Sequence, residues 1–323
     1  MKIAIIVPCF NEEDNIHPFY SLLKPIVDKY NHEIIFINDG SKDNTLNKLK
    51  QLATIDKNVT YISLSRNFGH QNALKAGYDY VDADCTICMD VDLQHPPKII
   101  IQLIERWQEG NEVVYTIRND GENIPLIKKI TAKIFYLFLN YISKIELKPN
   151  AADFRLVDRK VLNAIKLFQE ENLFLRGLIA WMGFKQCGVE YEVEKRIYGK
   201  SKYPFRKMLS FSMAGLTSFS VSPLRISSFI GFLFSGLSFL YGFYAVYLHI
   251  FTHQTVQGWT SLIVSFLFVT GLQFIMIGII GEYIGKGFME SKKRPSYLIS
   301  EDNFQGTLSR PIDFEIKNYV VKS

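Results

Sequence analysis

Two aspartates, Asp90 and Asp92, are separated by a single residue and directly follow an apolar run that begins at Cys85. On an extended backbone, residues two apart point to the same side, so both carboxylates can face one ligand. Such a pair suits a hard cation, Mg²⁺ or Mn²⁺, which can neutralise a diphosphate as it leaves. His95, three residues further on, could be an additional ligand or a residue that supports the ligands. The pattern therefore predicts a metal site at this strand end.

Two further polar clusters, residues 8–13 and 39–43, follow the first and second apolar runs of the chain. In the second cluster, Gly40 permits a tight turn and Asp39 could bond a base or a ribose. A plain β-turn leading into a helix N-cap would use the same residues. No G-x-G-x-x-G follows the first run, and no G-x-x-x-x-G-K-[ST] occurs anywhere. These absences disfavour a dinucleotide-dependent dehydrogenase and a P-loop nucleotidase.

The elements that must position these clusters alternate along the first half of the chain. Short β-branched runs predict strands at residues 2–7, 33–38, 59–64, 85–90 and 112–117. Segments of helical period lie between them, at residues 13–29, 43–54, 71–80 and 97–109. This rhythm indicates an α/β domain with a mostly parallel sheet and crossover helices. Ligands bind such sheets beyond the carboxyl ends of the strands, where the polar clusters lie.

Composition separates a charged region from an apolar one. The chain has 323 residues and a net charge of +5, which favours anionic partners such as nucleotide phosphates or an anionic leaflet. Nucleic acid is disfavoured, because the basic residues are not interleaved with aromatic ones. Residues 226–281 contain no Asp, Glu, Lys or Arg. Within them, residues 226–248 and 260–281 are each long enough for a bilayer core of roughly 30 Å. A helical hairpin buried in a soluble domain would need less apolar length.

Charge asymmetry predicts how this apolar pair is oriented. Basic residues flank it on both outer sides, and residues 249–259, which connect the two spans, contain no Lys or Arg. The positive-inside rule then places both flanks in the cytoplasm and the protein in the cell membrane as a multi-pass protein. We expect a cytoplasmic catalytic domain at 1–202, a juxtamembrane amphipathic helix at 203–225, a transmembrane hairpin at 226–285 and a cytoplasmic tail at 286–323. Small residues in the first span permit close helix packing, so a homo-oligomer is a further expectation.

Several motifs together resemble a known family. They are Val7-Pro8-Cys9-Phe10-Asn11-Glu12-Glu13, Asn38-Asp39-Gly40-Ser41, Arg66-Asn67-Phe68-Gly69, Asp90 through Pro97, Ala152-Asp153-Phe154-Arg155, Phe174-Leu175-Arg176-Gly177 and Tyr198-Gly199-Lys200-Ser201-Lys202-Tyr203. In this order they resemble the family 2 inverting glycosyltransferases of GT-A fold. More closely, the chain is similar to the polyisoprenyl-phosphate glycosyltransferases, which include dolichol-phosphate mannose synthases and bactoprenol glucosyltransferases. The resemblance covers nearly the whole chain, and the two apolar spans match the bactoprenol branch. One departure is Asn38, where the family often has a second aspartate.

The resemblance implies a reaction and a set of site residues. The reaction is inverting transfer of a sugar from a nucleotide sugar, UDP-glucose or UDP-N-acetylglucosamine, to undecaprenyl or another polyisoprenyl phosphate for cell-envelope glycosylation. The nucleotide pocket is expected to contain Pro8, Phe10, Glu12, Asp39 and Asp90. The expected ligands of Mg²⁺ or Mn²⁺ are Asp90, Asp92 and Gln94. The residues expected to bind the acceptor phosphate are Arg155, Arg196, Ser201 and Lys202.

Asp153 and Asp92 are the expected catalytic residues. Asp153 occupies the position of a catalytic base in family 2 enzymes. A lipid phosphate, however, has a second pKa near 6 and is already an anion at neutral pH. It can attack without a base, so Asp153 could instead position the acceptor or the sugar. The rival interpretations are a processive polysaccharide synthase, which would need more membrane helices, and a non-catalytic membrane scaffold.

Overall fold

The strands in the described part of the chain form one sheet of eight. The computed structural model describes residues 1–119, 148, 150–170, 173–192, 221–252 and 258–304. The strands are β1 Lys2–Cys9, β2 Asn31–Asn38, β3 Val59–Leu64, β4 Cys85–Cys88, β5 Val113–Asn119, β6 Ala151–Asp158, β7 Gln186–Glu192 and β8 Ile299–Asp302. The helices are α1 Ile16–Val27, α2 Thr45–Ile55, α3 His70–Tyr80, α4 Ile99–Gln108, α5 Arg159–Lys166, α6 Leu175–Trp181, α7 Ser222–Thr252 and α8 Trp259–Ser291.

The sheet is mostly parallel, as the sequence predicted, with strand order β7-β5-β6-β4-β1-β2-β3-β8. Only β6 and β8 run antiparallel to their neighbours. The carboxyl ends of β1, β2, β3, β4 and β5 therefore meet at one edge of the sheet. This geometry brings together polar clusters that are about 30 to 80 residues apart in the chain.

The centre of the sheet is a dry, closely packed layer. Residues 3–7 of β1 are all at most 1% exposed, which is typical of a parallel strand covered on both faces. Helix α3 approaches this strand closely at Gly77, where an added Cβ would lie 2.4 Å from the Ile6 side chain. Because α3 is seated on β1 in this way, its first residue, His70, is held at the same edge as the strand ends.

The end of the described chain returns to this sheet, a pairing that was not predicted from the sequence. Strand β8 pairs antiparallel with β3, with Asp302 opposite Ile62 and Glu301 opposite Ser63. The carbonyl of Leu298 accepts a hydrogen bond from the backbone N–H of Ser65 at 2.8 Å. Residues 295–304, part of the predicted tail, thus complete an edge of the catalytic unit; we call them the C-terminal strap.

The strap is also anchored by a buried carboxylate on α3. The Tyr297 hydroxyl donates to Asp79 Oδ2 at 2.9 Å, and Asp79, whose side chain is 6% exposed, pairs with Lys75. Replacing Tyr297 by Phe removes a hydrogen bond to a buried charge, so we expect a loss of about 1–3 kcal/mol in stability. The measurement is the Tm of the full-length protein in detergent.

The matched control for this variant is Tyr30→Phe, because the Tyr30 hydroxyl makes no hydrogen bond within the described part of the chain. The control should melt like the unaltered protein. Equal Tm values for the two variants would show that the Tyr297–Asp79 contact does not hold the strap.

Helices α7 and α8 form a separate unit with an unusual surface. Segments Leu224–Tyr244 and Ser261–Ser291 are long and apolar enough to cross a membrane, with mean hydropathies of 1.6 and 2.4. Only 6% and 0% of their most apolar windows are buried inside the protein. Phe229 and Phe232 are 70% and 86% exposed. A continuous apolar surface of this length fits a bilayer and does not fit a helical hairpin buried in a soluble core.

Candidate active site

The loops that follow β1 and β2 are joined by hydrogen bonds. The backbone N–H of Asn11 donates to Ser41 Oγ at 3.0 Å, and that of Glu12 donates to Thr45 Oγ1 at 2.9 Å. Asp43 accepts from the backbone N–H of Glu13 at 3.2 Å. The first two polar clusters of the sequence are therefore one structural unit at the carboxyl edge of the sheet.

Asp39 connects this unit to the loop after β3. Its carboxylate accepts the backbone N–H groups of Phe68 and Gly69 at 2.7 and 3.0 Å, and the residue is 3% exposed. Burial raises the pKa of Asp39, and the two backbone hydrogen bonds partly offset this rise. Asp39 thus uses both oxygens to shape the loop that leads into α3.

Asn38 has a structural reason for differing from the family pattern. It is 1% exposed, and its amide donates to Ser63 Oγ at 2.9 Å while its Oδ1 accepts the backbone N–H of Ser41 at 3.2 Å. A neutral amide can satisfy both partners. A second buried carboxylate here would add a negative charge beside that of Asp39, which is costly in an apolar interior.

Gly40 allows the loops after β2 and β3 to touch. Its φ is +62°, and an added Cβ would lie 2.3 Å from the Arg66 carbonyl carbon and 2.6 Å from the Asn67 nitrogen. Gly40→Ala should therefore push the two backbones apart and weaken nucleotide binding at least ten-fold. We expect a stability loss of about 1–3 kcal/mol from overpacking and backbone strain. Calorimetric titration with UDP and Mn²⁺ measures the binding change.

Gly183→Ala is the control for backbone strain, because Gly183 also has a positive φ, of +73°, but open space around its Cβ position. It should lose some stability and keep nucleotide affinity. If both variants bound nucleotide equally well, the close approach of Gly40 to residues 66–67 would have no role in the site.

Four of the five residues expected to line the nucleotide pocket, those at the ends of β1 and β2, differ in their accessibility. Phe10 is 38% exposed, and Glu12 is partly exposed and accepts a hydrogen bond from Asn15 Nδ2 at 2.6 Å. Pro8 is buried within β1, and Asp39 is buried as described above. Phe10 and Glu12 are therefore the members of this set that present side-chain surface to a ligand.

Exposure alternates along the aspartate segment that follows β4. Asp90, Asp92 and Gln94 are partly exposed, whereas Val91 and Leu93 are buried. This places the two carboxylates and the amide on the accessible side of the segment. Leu93 has a φ of +60°, an uncommon conformation for a side chain of this size. The segment is thus held in a turn, with the backbone N–H of Gln94 donating to Asp92 Oδ1 at 3.2 Å.

His95 supports Asp90 from the buried side. It is 4% exposed, and its Nε2 lies 3.3 Å from Asp90 Oδ2. Its Nδ1 is hydrogen bonded to the Tyr191 hydroxyl at 2.7 Å. His95 therefore orients the Asp90 carboxylate through a contact that comes from β7.

These residues fit a divalent cation whose remaining ligands come from a substrate. Within the described ranges there is no group of three or more His, Cys, Asp or Glu side chains placed to hold a metal. Asp90 and Asp92 supply two accessible carboxylates, and Mg²⁺ commonly takes one or two carboxylates together with substrate phosphates and water. Partial burial raises the pKa of Asp90, but His70 and His95 outweigh this effect and lower it, so that the carboxylate is ionised at neutral pH.

Asp153, on β6, is surrounded by hydrogen-bond donors. Its Oδ1 lies 3.2 Å from Arg155 Nη2 and 3.3 Å from Arg176 Nη2. Its Oδ2 lies 3.4 Å from Gln71 Nε2 and 3.6 Å from His70 Nε2. Burial raises the pKa of Asp153, but the neighbouring cations lower it far below the usual range. Such a carboxylate has little tendency to accept a proton.

His70 joins Asp153 to the aspartate segment. It is the first residue of α3, and its Nε2 also lies 3.8 Å from Asp90 Oδ1. Partial burial lowers the pKa of His70, but the two carboxylates raise it to about 9. His70 was not predicted from the sequence as a site residue, although it directly follows the Arg66-Asn67-Phe68-Gly69 motif.

The two arginines beside Asp153 differ in what they can reach. Arg155, predicted to bind a phosphate, has a side chain only 5% exposed and donates to the Ala152 carbonyl as well as to Asp153. Arg176 is 28% exposed and was noted only as part of a motif. Arg196, Ser201 and Lys202, the other predicted phosphate ligands, lie outside the described residues.

Comparisons with known proteins agree with this architecture. Residues 4–166 match the profile of Glycosyl transferase family 2, and residues 222–286 match that of the GtrB C-terminal hairpin. The uncharacterized glycosyltransferase YkcC of Bacillus subtilis (strain 168) is 45% identical over 93% of this chain and 94% of its own. The prophage bactoprenol glucosyl transferase homolog of Escherichia coli (strain K12) is 43% identical over 93% of this chain and 98% of its own.

One more sequence relative and one solved structure are also similar to this chain. The bactoprenol glucosyl transferase of Shigella phage SfV is 42% identical over 94% of this chain and 99% of its own. Among solved structures, glucosyl-3-phosphoglycerate synthase from Mycobacterium tuberculosis has a TM-score of 0.48 and 19% identity, covering 68% of this chain and 80% of that chain.

The mostly parallel sheet and the paired carboxylates at its edge define a glycosyltransferase with a GT-A-like α/β domain. The family profile spans about half of the chain, and the relatives are more than 40% identical over nearly all of it. The chain therefore belongs to Glycosyl transferase family 2. The family and the fold predicted from the sequence are both confirmed.

Proposed function

We propose that the protein transfers glucose from a nucleotide sugar to a polyisoprenyl phosphate at the cell membrane. The observation that carries this proposal is similarity over 93–94% of the chain to proteins named bactoprenol glucosyl transferases, through the catalytic unit and the apolar hairpin alike. A lipid acceptor is consistent with the exposed apolar helices, because such an acceptor lies in a bilayer.

The chemistry follows from the groups at the sheet edge. The nucleotide is held by the loops after β1 and β2, with Phe10 and Glu12 accessible to it. Asp90 and Asp92, together with Gln94, would hold a Mg²⁺ or Mn²⁺ ion, which would supply positive charge for the departing diphosphate. The phosphate oxygen of the acceptor attacks the anomeric carbon from the opposite face, with inversion. Asp153 positions the reacting groups and no proton needs to be removed, because the acceptor is already an anion.

The C-terminal strap supports a hairpin topology. The chain leaves the catalytic unit before α7 and rejoins its sheet after α8, at β8. We expect both outer ends of the apolar pair to face the same side of the membrane. The basic residues at those ends, among them Arg225 and Lys292, favour the cytoplasmic side.

The test is incubation of the full-length protein in membranes with undecaprenyl phosphate and a panel of labelled nucleotide sugars. We expect one labelled lipid product, with UDP-glucose as donor, and its loss on addition of EDTA. UDP-N-acetylglucosamine is the alternative donor. Transfer of label to a protein or to a sugar hydroxyl, with none to the lipid, would refute the acceptor assignment.

A further inference from the structure

Arg176 lies where α6 begins, and α3 holds this end of the helix in place. The side chain of Gln71, the second residue of α3, accepts the backbone N–H of Leu175 at 3.0 Å. The same Gln71 reaches Asp153 with its amide nitrogen. Arg176 Nε and Nη2 lie 3.4 and 3.3 Å from Asp153 Oδ1. The Arg176 guanidinium is therefore held against the Asp153 carboxylate in two ways. Gln71 anchors the start of α6, and Asp153 itself contacts Nε and Nη2 of Arg176.

The guanidinium of Arg176 keeps donors for a ligand. A guanidinium carries five N–H donors in a planar fork, and in the described part of the chain Asp153 is the acceptor that Arg176 contacts. Arg155 is engaged differently, because it is buried and shares its Nη2 between Asp153 and the Ala152 carbonyl. Of the two arginines, Arg176 is the one with both accessible surface and uncommitted donors.

Charge balance leaves this position electropositive. One carboxylate, Asp153, is shared by two guanidinium groups, so it cannot neutralise both. The surplus charge lies at the more exposed group, Arg176. A planar guanidinium fork with unpaired donors is the protein group best matched to phosphate oxygens. The contact of His70 with both Asp153 and Asp90 places this group beside the carboxylates that face the departing diphosphate.

We propose that Arg176 binds the phosphate of the lipid acceptor, with Asp153 holding the guanidinium in position. This inference rests on the proposed function and deepens it by naming the acceptor-phosphate site. The diphosphate of the donor is the other phosphate that could reach Arg176. Binding of the acceptor phosphate and binding of the donor diphosphate predict different kinetics. If Arg176 binds the acceptor phosphate, altering it leaves donor binding unchanged.

The test compares Arg176→Gln and Arg176→Lys in the full-length protein, with undecaprenyl phosphate and nucleotide sugar varied separately. For Arg176→Gln we expect the KM of the lipid acceptor to rise about ten- to hundred-fold, the range for loss of a charge-assisted hydrogen bond. Arg176→Lys keeps the positive charge but loses the planar guanidinium fork. Its acceptor KM should therefore lie between the values of the unaltered protein and of Arg176→Gln. The donor KM and the rise in Tm on adding UDP with Mn²⁺ should stay unchanged.

The matched control is Arg159→Gln. Arg159 is 46% exposed and pairs with Asp82 and Asp84 at the other end of β4, so its loss should alter neither KM. An unchanged acceptor KM in Arg176→Gln, or an equal rise of donor and acceptor KM, would overturn the inference and leave the proposed function standing. If Arg176→Gln did not fold, an unchanged acceptor KM in Arg176→Lys would overturn it. Absence of any lipid product from the unaltered protein would remove both proposals.

Discussion

Replacing Asp92 by Asn should reduce sugar transfer by about a thousand-fold or more, or by roughly 4 kcal/mol of transition-state stabilisation. Asp92 and Asp90 are two accessible carboxylates on the same side of the segment after β4. The amide has nearly the same shape as the carboxylate, so the fold should persist while the anionic charge that attracts the cation is lost. The leaving diphosphate would then depart without charge compensation.

Initial rates of transfer to undecaprenyl phosphate measure this loss, and the rise in Tm with UDP and Mn²⁺ shows its cause. The unaltered protein should be stabilised by UDP with Mn²⁺, and Asp92→Asn should lose that stabilisation. Asp82→Asn is the matched control, because Asp82 is 61% exposed and lies before β4, away from the carboxyl edge of the sheet. Transfer by Asp92→Asn at the rate of the control would exclude the aspartate pair as the metal site.

Asp153→Asn should damage both stability and activity. Asp153 is the counter-charge of the buried Arg155, and removing one partner of a buried ion pair costs about 3–5 kcal/mol. Arg176 and His70 also lose their common acceptor. We expect a lower Tm and a fall in kcat/KM of about a hundred-fold, because the groups that face the acceptor are no longer held.

The pH dependence of this variant separates positioning from base catalysis. The pKa of Asp153 lies well below its usual range, so the carboxylate is ionised throughout the range from pH 5 to 9. The stability that it contributes is present at pH 7 and is lost as pH falls below about 4. If Asp153 only positions the reacting groups, the residual kcat/KM of Asp153→Asn should rise with ionisation of the acceptor phosphate near pH 6. It should then level off at higher pH. A rate that kept rising linearly with hydroxide to pH 9 would instead indicate a missing base.

Local patterns in the sequence predicted the elements of the catalytic unit well. Strand β3 was expected at residues 59–64, and the structure has it at Val59–Leu64. The predicted helix at 71–80 begins one residue earlier, at His70. Buried side chains recur every two residues in a strand and every 3.6 residues in a helix. The patterns therefore depend only on near neighbours in the chain. Residues 126–145, whose amphipathic pattern also predicts a helix, lie outside the described residues.

Accessibility within the site could not be read from residue types. Asp39 and Arg155 were both expected to contact substrate, yet both are buried and make hydrogen bonds to protein partners. Whether a charged side chain faces a ligand or a neighbouring loop depends on how closely the loops approach. At Gly40 that approach is set by backbone contact with residues 66–67, which no local pattern records.

The sequence by itself determined the alternation of strands and helices, the aspartate pair, the charge-free spans and the family. Tertiary structure alone decided which partners surround these groups. Tyr191 reaches His95 across 96 residues of chain, Gln71 reaches Asp153 across 82, and Asn303 accepts from Tyr61 across 242. Such contacts depend on strand order and helix seating, because a hydrogen bond forms only when packing brings both atoms to about 3 Å. The sequence thus specified which chemical groups are available, and folding specified that Arg176 and His70 share Asp153.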